Sequence, residues 1–471
     1  MVQLSVLTPD EVEAIHQATL RILSEVGIVL DHPGARDLLA GAGARVERGR
    51  AWLPCDLVER EVGRCPGRVT VRGRGGRPAV LGDGGLHWHN LGGARDLYDH
   101  RSGQKRPATL HEVRQSARLL DALDGVTTVT PFFTPQDVPG ELMSLAMYRH
   151  CLAHTTKPIQ GPGVQTAAEV GYAVRLAEVI GPPAEVLTLS VSPVSPLSLS
   201  GPLAGALVEV ARYGIALAPL PCPTAGATAP LSLAGALAQQ NAEVLACVVL
   251  AQLVWPGLPI VYCGRLAMME PRTVTSVWGG VELGLASAAT VQIGHRYGLP
   301  VNVYGFSTNA HVLNLQNGYE RALNAAVPAL AGADELSGIG EMEAGVMGSY
   351  AQMVVDNEMA ASVGRLRRGF AVNPDALAVE VIAEVMDGSR NFLSQSHTVR
   401  YLRAGEVMVT RLADRRPWEE WHHAGRDDMA DRAQAQAERL LVEHRVPPLA
   451  PEQERELDRI MDHAQRDLAG Q

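Results

Sequence analysis

Short apolar runs alternate with longer stretches of helical periodicity along the chain from residue 126 onward. The runs are rich in Val, Ile and Leu and nearly continuous, which is typical of strands buried on both faces of a parallel sheet. They lie at 126–133, 158–161, 186–193, 215–219, 259–264, 300–306, 335–340 and, more weakly, 391–395. The helical patterns between them lie at 141–154, 166–180, 201–212, 232–254, 281–297, 317–330, 350–368 and 374–387.

Repeated strand–helix units of this kind predict an α/β protein built on a (β/α)8 TIM barrel. A doubly wound open sheet is the alternative, but no GxGxxG turn follows any of the apolar runs. We therefore expect functional side chains at the carboxyl ends of the strands, where barrel enzymes carry their active sites.

The segments on either side of this repeat have a different pattern. Thr8 and Glu11 form a capping box that begins a helix ending near Gly27, and Thr109 with Glu112 begins a second helix. Short β-like runs lie between them, at 51–53, 69–72 and 86–89. The sequence thus predicts an N-terminal α+β preface at 1–120, a barrel domain at 121–415 and a charged C-terminal helical extension at 416–471.

Composition and charge restrict the class of partner. The chain has 471 residues, of which 46% are hydrophobic and 20% charged, an ordinary globular balance. A net charge of −10 argues against a nucleic-acid surface or a polybasic membrane patch. Lys105 and Lys157 are the only lysines, so a Schiff-base enzyme would have to use one of them.

Cysteine usage and the N-terminus predict the compartment. None of the six cysteines forms a CxxC pair, which favours reduced, buried thiols. The first ten residues have neither the basic nor the apolar region of a signal peptide. The longest apolar stretch, 242–258, is interrupted by Gln252 and Pro256 and is short for a membrane span. We expect a cytoplasmic protein without a membrane segment.

The loop after the run at 300–306 is the densest in hydrogen-bonding side chains, and we call it the 307–316 loop. It contains Ser307, Asn309, His311, Asn314 and Gln316. Metal sites are not indicated elsewhere, because the pairs at His87-x-His89 and His422-His423 have no third ligand nearby and no HExxH motif exists. The 307–316 loop is therefore the expected active loop, and no metal ligand is assigned.

Several motifs are distributed in order over nearly the whole chain. They are Tyr98-Asp99, Arg106-Pro107-Ala108-Thr109, Ser192-Pro193-Val194-Ser195-Pro196-Leu197, Thr228-Ala229-Pro230, Leu233-Ala234-Gly235, Asn241-Ala242-Glu243-Val244-Leu245, Val249-Leu250-Ala251-Gln252-Leu253, Pro256-Gly257, Gln316-x-Gly318-x-Glu320, Pro328-Ala329-Leu330-Ala331-Gly332-Ala333, Trp418 and Trp421. This set resembles the trimethylamine methyltransferase family. The resemblance implies a (β/α)8 barrel enzyme that moves a methyl group from an amine to the cobalt of a corrinoid carried by a separate small protein.

The family has two branches, and the resemblance places this chain in one of them. Archaeal trimethylamine enzymes carry pyrrolysine at the position that corresponds to Ser307. Without it, the chain is similar to the bacterial branch, whose known members demethylate quaternary amines such as glycine betaine, proline betaine or carnitine. The family usually has Asp, Lys and Asp where Asn309, His311 and Asn314 stand here, so the loop has lost charge.

Position and resemblance together give the expected site residues. We expect Ser307, Asn309 and His311 to be catalytic. The residues expected to bind substrate are Glu243, Glu282, Tyr304, Phe306, Asn314, Gln316 and Tyr350. A carboxylate end of a betaine would be held by Arg265 or His311. For each aromatic residue core packing is the alternative, and for the glutamates a surface position.

Three hypotheses for function remain open from the sequence. The first is the corrinoid-dependent methyltransferase acting on a quaternary, betaine-like or other methylated amine, with a small corrinoid protein as partner. The second is a barrel enzyme of another class, a lyase or isomerase, with new chemistry in the 307–316 loop. The third is a non-catalytic relative that binds a methylated amine. The sequence leaves open whether the chain forms a homo-oligomer.

Overall fold

A computed structural model describes residues 2–76, 78–388 and 390–468. The α-helices, α1 to α18, are Pro9–Arg21, Pro33–Gly41, Cys55–Val62, Leu110–Ala122, Met143–His154, Ala167–Glu178, Pro183–Val186, Gly201–Arg212, Leu233–Val254, Val281–Arg296, Leu315–Leu330, Tyr350–Arg368, Pro374–Leu377, Val379–Asp387, Ser396–Arg403, Trp418–His423, Met429–Glu443 and Pro451–Leu468. A π-helix at Ile22–Val26 continues α1, and a 3-10 turn at Gly140–Leu142 precedes α5.

The strands, β1 to β20, are shorter. They are Ile28–Leu30, Arg45–Glu47, Arg50–Trp52, Val69–Arg72, Pro78–Leu81, His87–Asn90, Asp96–Asp99, Gln104–Pro107, Ile159–Gly163, Leu187–Val191, Ser198–Leu199, Ala216–Pro219, Thr224–Ala225, Tyr262–Gly264, Ala267–Met269, Ser276–Val277, Val301–Tyr304, Glu335–Ile339, Glu341–Met342 and Met347–Gly348. The protein is a mixed α/β structure in which the helices predicted at 141–387 are present with nearly the predicted bounds.

Parallel strands form the centre of the fold in two sheets. One sheet has the order β12-β10-β9 and the other β14-β17-β18-β6, and every pair in both is parallel. A parallel bridge joins Leu217 in β12 to Ile260, just before β14. The buried strand β17, with four consecutive buried residues, has the near-continuous apolar pattern of a parallel sheet.

The 126–130 segment lies between β6 and β9. Val129 forms a parallel bridge with Ile159, and its backbone accepts a hydrogen bond from Gln160 N at 2.9 Å. On the other side, Thr127 N donates to Trp88 O at 2.8 Å. The pairing therefore continues from β6 through this segment to β9.

The weak strand predicted at 391–395 is wrong. That segment forms a turn on the surface, with Leu393 83% exposed. The edge of β18 that it would need is already taken by β6, which pairs His87 with Glu335. The β-like run predicted in the preface at 86–89 thus enters the parallel sheet as β6; it was not assigned to that sheet because three of the four residues of β6 are polar.

The remaining preface elements pack around the parallel strands. Both predicted capping boxes are confirmed, at the start of α1 and of α4. The β4–β5 hairpin packs Val69, Val71 and Leu81 against Ala216 and Val261, which lie at the amino-terminal ends of their strands. This end of the sheet is therefore filled with apolar side chains.

Helix α9 is buried on nearly every side. It is long and apolar enough to cross a membrane by length and composition alone, but 83% of its most apolar window is buried inside the protein. Its uniform burial explains the absence of an amphipathic pattern, as expected for a helix enclosed by other helices. Helices α1, α3 and α8 pack against it.

The C-terminal helices return to the body of the protein. α17 packs on α12 and α4, and α18 packs on α5 and α6. Arg149, of which the side chain is 10% exposed, is held by Glu454 and Asp458 of α18 at 2.5 and 2.8 Å. The predicted helices of the tail are thus packed on the helical layer.

A buried ionic cluster joins α11 and α12 to the ends of two central strands. Arg321 and Asp356 are both fully buried and form an ion pair at 2.9 Å. The same arginine donates to the backbone oxygens of Phe306 and Gly338, and Asp356 accepts from Gly340 N at 2.7 Å. Each of these backbone groups lies just after β17 or within or just after β18, so the pair fixes where the following loops begin.

Glu341 is the third charged group of this cluster. It is fully buried; Ser307 and the backbone of Thr308 lie beside it, but within the described residues neither carboxylate oxygen accepts a hydrogen bond of normal length and angle. Burial raises its pKa to about 8, against the opposing effect of nearby Arg321, and burial likewise raises the pKa of Asp356 to about 6. Both carboxyl groups therefore bind a proton more readily in the folded than in the unfolded chain.

We expect Arg321→Met to lower the free energy of unfolding by about 3–5 kcal/mol, because it leaves Asp356 buried without a counter-ion. Urea denaturation followed by circular dichroism measures the loss. Adding Asp356→Asn should recover part of it, since a neutral amide needs no counter-ion. A loss below about 1 kcal/mol for the single variant would contradict the role given to this pair.

We expect the free energy of unfolding of Glu341→Gln to increase relative to that of wild type as the pH rises from 4.5 to 8. In that range the folded wild-type chain holds a proton that the unfolded chain does not, so wild-type stability falls relative to the variant by about 1.4 kcal/mol per pH unit at most. Thermal unfolding at several pH values tests this. The control is Glu320→Ala, which loses the hydrogen bonds from Thr308 and Asn309 and should be less stable than wild type at pH 7. A pH-independent difference for Glu341→Gln would contradict the assignment.

Candidate functional site

A cavity of about 800 Å³ lies at the carboxyl ends of the parallel strands. Side chains from successive strands line its inner part, and the loops that follow the strands line its upper part. The inner set is His89, Thr130, Gln160, Ser190, Ala218, Cys263 and Asn302. A cleft of about 580 Å³ adjoins it and shares Cys222, Arg265, Trp278 and Tyr304 with it. This is the position at which α/β barrels carry their active sites.

A buried carboxylate organises the inner part of the cavity. Glu335 accepts hydrogen bonds from Thr128 Oγ1 at 2.8 Å, from Gln160 Nε2 at 2.6 Å and from Asn302 Nδ2. Asn302 Nδ2 also lies 2.9 Å from Nε2 of His89. Burial lowers the pKa of His89, so this ring is neutral and its Nε2 accepts. Glu335 is thus covered by its donors, and Gln160, Asn302 and His89 line the cavity in front of it.

Arg265 lies on the wall between the cavity and the cleft. It is 2% exposed and donates to the backbone oxygen of Asn302 at 2.8 Å and to the side-chain oxygen of the same residue. Its Nε has no hydrogen-bond partner, and within the described residues no carboxylate lies within ion-pair distance of it. A buried guanidinium without a counter-ion is costly, which favours an anionic group in the cavity.

Two aromatic rings lie beside Arg265 on this wall. The rings of Trp278 and Tyr304 lie 4.6 Å apart at an interplanar angle of 42°, and both line the cavity and the cleft. The guanidinium of Arg265 lies over the ring of Tyr304 at 5.0 Å. Gly345, with φ of +80°, packs directly on Trp278, since a Cβ there would lie 2.8 Å from Cζ3 of the indole. The indole position therefore depends on a residue without a side chain.

Asn309 holds the segment that carries Trp278. Its Oδ1 accepts from the backbone N–H groups of Trp278 and Gly279, both at 2.7 Å, and its Nδ2 donates to Ser276 O at 3.2 Å. Glu320 in turn fixes the loop, accepting from Thr308 Oγ1 and from Asn309 N. Asn309 therefore acts on the cavity wall through the indole that it positions.

The other two residues expected to be catalytic lie at different depths. Ser307 is fully buried beside Glu341, outside the cavity lining, and its hydroxyl has no hydrogen-bond partner within the described structure. His311 lines the cleft with 74% of its side chain exposed, 3.7 Å from Glu343. The structure thus brings Asn309 and His311 to the cleft with Tyr304 and places Ser307 beneath it.

Most residues expected to bind substrate have partners outside the cavity. Glu243 is buried and accepts from Ser195 Oγ at 2.7 Å and from Leu197 N at 2.9 Å, so it holds the loop after β10. Burial raises its pKa, and these hydrogen bonds oppose the rise. Phe306 stacks on Trp88 in the core at 4.6 Å, and Tyr350 packs edge-on against Phe133.

The remaining three lie on the surface near the cleft. Glu282 is exposed in the first turn of α10. Asn314 is exposed and caps α11 by accepting from Asn317 N at 3.1 Å. Gln316 is exposed and donates to Glu320 at 2.8 Å. Among the residues expected to bind substrate, Tyr304 lines the cavity directly, and the roles of the others remain predictions.

The sequence argument did not select Trp278, Gln160, Asn302 or Glu335. Trp278 lies in a long connection after β14, without a periodic pattern to mark it. The three polar residues had a usable signal, because each interrupts or borders an apolar run at 158–161, 300–306 or 335–340. Polar residues on a parallel strand buried on both faces require partners, so they could have been predicted to face one another.

A surface cluster of possible metal ligands lies elsewhere. Ligand atoms of His100, Asp428 and Asp431 lie within 4.8 Å of one another. Asp428 is the N-cap of α17, and both aspartates are exposed, so ordinary helix capping accounts for the cluster. None of the three lines the cavity.

Comparison with known proteins assigns the chain to a family. The family model "Trimethylamine methyltransferase (MTTB)" matches residues 1–469. A trimethylamine methyltransferase of Methanosarcina mazei is 30% identical over 485 residues, covering 99% of this chain and 96% of that protein. A trimethylamine methyltransferase of Desulfitobacterium hafniense is 29% identical, covering 93% of this chain and 90% of the relative. A glycine betaine methyltransferase of the same species is 28% identical, covering 95% and 94%.

The solved structures extend the similarity to the fold. The monomethylamine methyltransferase of Methanosarcina barkeri is similar with a TM-score of 0.51 at 11% sequence identity, covering 98% of this chain and 92% of that chain. A complex of the same kind of enzyme with hydroxylamine gives a TM-score of 0.52. With the match over the whole chain, the conclusion is that this protein belongs to the trimethylamine methyltransferase family and is a methyltransferase.

Proposed function

We propose that this methyltransferase moves a methyl group from a quaternary amine that also bears a carboxylate, a betaine-like substrate, to the cobalt of a corrinoid carried by a separate small protein. The observation that carries the proposal is Arg265, a buried guanidinium at the cavity wall without a carboxylate partner in the described structure. Glu335, which shares the partner Asn302 with Arg265, is covered by Thr128, Gln160 and Asn302. The cavity therefore presents a positive charge and suits an anionic group.

The fold in this proposal is a (β/α)8 barrel formed by β6, the 126–130 segment, β9, β10, β12, β14, β17 and β18. Each neighbouring pair has backbone hydrogen bonds or a bridge, which supports closure. Residues 1–120 form the preface, whose strand β6 enters the barrel; 121–415 form the catalytic domain and 416–471 the helical extension.

The cationic end of the substrate would lie against aromatic faces. A methylated ammonium is attracted to the face of an indole or phenol ring. Trp278 and Tyr304 line the cavity next to Arg265, so one molecule can place its ammonium on the rings and its carboxylate on the guanidinium. A substrate with a cation alone would meet the positive charge of Arg265 without compensation.

The proposed reaction does not require the protein to transfer a proton. A corrinoid supplies a cobalt nucleophile, and a quaternary ammonium that loses a methyl group leaves as a neutral amine. No proton donor is needed, which agrees with a cavity where His89 is neutral and where Glu335 is fully hydrogen-bonded. The residues of this chain contribute by binding and orienting the substrate and by excluding water.

The corrinoid carrier would approach from the open side of the cavity. Residues of this chain need not ligate cobalt, because the group arrives on another protein. The rim fits an approach from solvent, since Arg95 and His311 line the two spaces with side chains 64% and 74% exposed. We place the reaction in methylamine metabolism and in the cytoplasm, where reduced thiols persist.

The expected catalytic residues take distinct roles in this proposal. Asn309 is a positioning residue for the indole of Trp278. His311 contacts the substrate or its carrier at the rim. Ser307 is the buried first residue of the 307–316 loop and lies beside Glu341, where its small side chain fits into the packed base of the loop. Glu243, Glu282, Phe306, Asn314, Gln316 and Tyr350 support the walls and the rim.

We expect Arg265→Met to lower kcat/KM for glycine betaine at least about 100-fold, because the carboxylate loses a charge-assisted hydrogen bond. Turnover of tetramethylammonium, which has no carboxylate, should not fall, because the variant removes the positive charge that this cation meets in the wild-type cavity. Methyl transfer to cob(I)alamin, followed by its visible spectrum, measures both. Arg95→Met is the matched control, an arginine at the rim that should affect the two substrates equally. Equal losses for both substrates in Arg265→Met would contradict the proposed substrate class.

We expect Asn309→Ala to lower kcat/KM about 10- to 100-fold by releasing the backbone of Trp278, whereas Asn309→Asp keeps both acceptor bonds and should lose less activity than the alanine variant. Indole fluorescence of Asn309→Ala should shift in the wild-type background and remain unchanged in a Trp278→Phe background. His311→Ala is the comparison, which should change activity without that spectral shift. If Asn309→Ala retains full activity, the positioning role is wrong.

A further inference from the structure

The segment after α12 exposes an unusual number of large apolar side chains. We call residues 370–409 the arm; within its described residues it contains α13, α14 and α15. Its exposed apolar residues are Phe370, Val372, Leu377, Val379, Ile382, Met386, Phe392, Leu393, Val399, Leu402, Val407 and Val409, each at least 41% exposed. Large exposed apolar patches on a folded chain mark interaction surfaces.

The arm is held to the protein mainly at its two ends. Arg365 of α12 donates to Gly369 O at 2.8 Å and to Glu406 O at 2.8 Å. Arg368 donates to Gly405 O. Between these points, Val385 is the buried residue of α14, and neither α13 nor α15 has a buried residue. The arm is thus a helical segment whose large apolar side chains are mostly left uncovered.

The apolar residues of α14 lie on one stripe. Val379, Ile382 and Met386 follow the i, i+3, i+7 spacing of a single helix face. Glu380, Glu384 and Asp387 follow the i, i+4, i+7 spacing and so share the adjoining face. Within the described residues, none of these three carboxylates has an ion-pair or hydrogen-bond partner. α14 therefore presents an apolar stripe with an unpaired acidic edge.

Helix α15 has the complementary pattern. Val399 and Leu402 are exposed at i and i+3, and the charged residues beside them are Arg400 and Arg403. Arg400 pairs with Asp375, while Arg403 has no partner among the described residues. α15 has no carboxylate, and α14 has no basic residue.

We propose that the arm is a dimerisation surface that binds a second copy of this chain. In a twofold arrangement, α14 of one copy lies on α15 of the other and the same contact is repeated by symmetry. Both apolar stripes are then covered, and the acidic edge of α14 faces the basic edge of α15 twice. A single surface carrying both halves of a complementary contact is the pattern that an isologous dimer requires.

The position of the arm separates this contact from the proposed carrier of the corrinoid. The cavity is lined by Ala344, Gly345 and Val346, just before α12, whereas the arm follows the last residue of α12. A helix of 19 residues is about 28 Å long. A dimer through the arm therefore leaves the mouth of the cavity free, and the inference does not depend on the proposed substrate.

Sedimentation velocity of the full chain over a range of concentrations is the first test, and we expect a dimer or an assembly built from dimers. Ile382→Asp with Met386→Asp should give a folded monomer. Glu380→Arg with Glu384→Arg, and separately Arg403→Glu, should each raise the dimer dissociation constant at least about tenfold, because like charges then face one another twice. Glu452→Arg with Glu456→Arg on the exposed helix α18 is the matched control and should leave assembly unchanged.

Mixing the two charge-reversed proteins is the decisive measurement. In a mixed dimer the reversed, basic α14 of one protein faces the reversed, acidic α15 of the other, and the two original helices face each other, so the mixture should dimerise at concentrations at which each protein alone is monomeric. This recovery also excludes misfolding as the cause of dissociation. The inference is overturned if wild type is monomeric at every concentration, if the apolar double variant still dimerises, or if the mixture of two folded variants stays monomeric.

Discussion

The buried ion pair between Arg321 and Asp356 is the constraint on which the geometry of the site depends. Two charges without solvent contact are stable only when each has a counter-ion and hydrogen-bond partners. Here the partners include Phe306 O, Gly338 O and Gly340 N, which are backbone groups at or beyond the ends of β17 and β18. The pair therefore sets the starting points of the 307–316 loop and of the segment that reaches Gly345. This loop and this segment are the two parts of the wall that hold Trp278, so the position of the indole depends on the ion pair.

The same principle explains the polarity of the cavity. Glu335 and Arg265 are both buried, but their environments differ. Asn302 separates them, donating to the carboxylate with Nδ2 and accepting from the guanidinium with Oδ1. Glu335 is satisfied by side chains in front of it, while Nε of Arg265 remains unpaired at the wall. The cavity therefore contains one carboxylate and one guanidinium, and the guanidinium of Arg265 is the one that is available to a ligand.

Much of the fold could be predicted from the sequence, and the exceptions have physical causes. The helices of the central domain follow from apolar periodicity, and α9 was found although it is apolar on all sides. β6 was not assigned to the central parallel sheet because His89 and Asn90 are buried by polar partners, which an apolar pattern does not register. The turn at 391–395 resembled a strand because Phe392 and Leu393 are apolar yet exposed. The position of Trp278 depends on contacts with Asn309 and Gly345. These residues are distant from it in sequence, so the sequence pattern could not indicate the contacts.

The departure of Asn309 from the family's usual Asp is explained by what the side chain binds. Its Oδ1 accepts two backbone N–H groups, and an amide oxygen does this as well as a carboxylate oxygen. The amide has a further use, because its Nδ2 donates to Ser276 O, which a carboxylate would repel. The exchange therefore removes a negative charge near Arg265 while keeping the indole in place. In the proposed function, less negative charge at the wall leaves the guanidinium freer to attract the carboxylate of a betaine-like molecule, so the loss of charge in the loop and the proposed substrate are parts of one electrostatic arrangement.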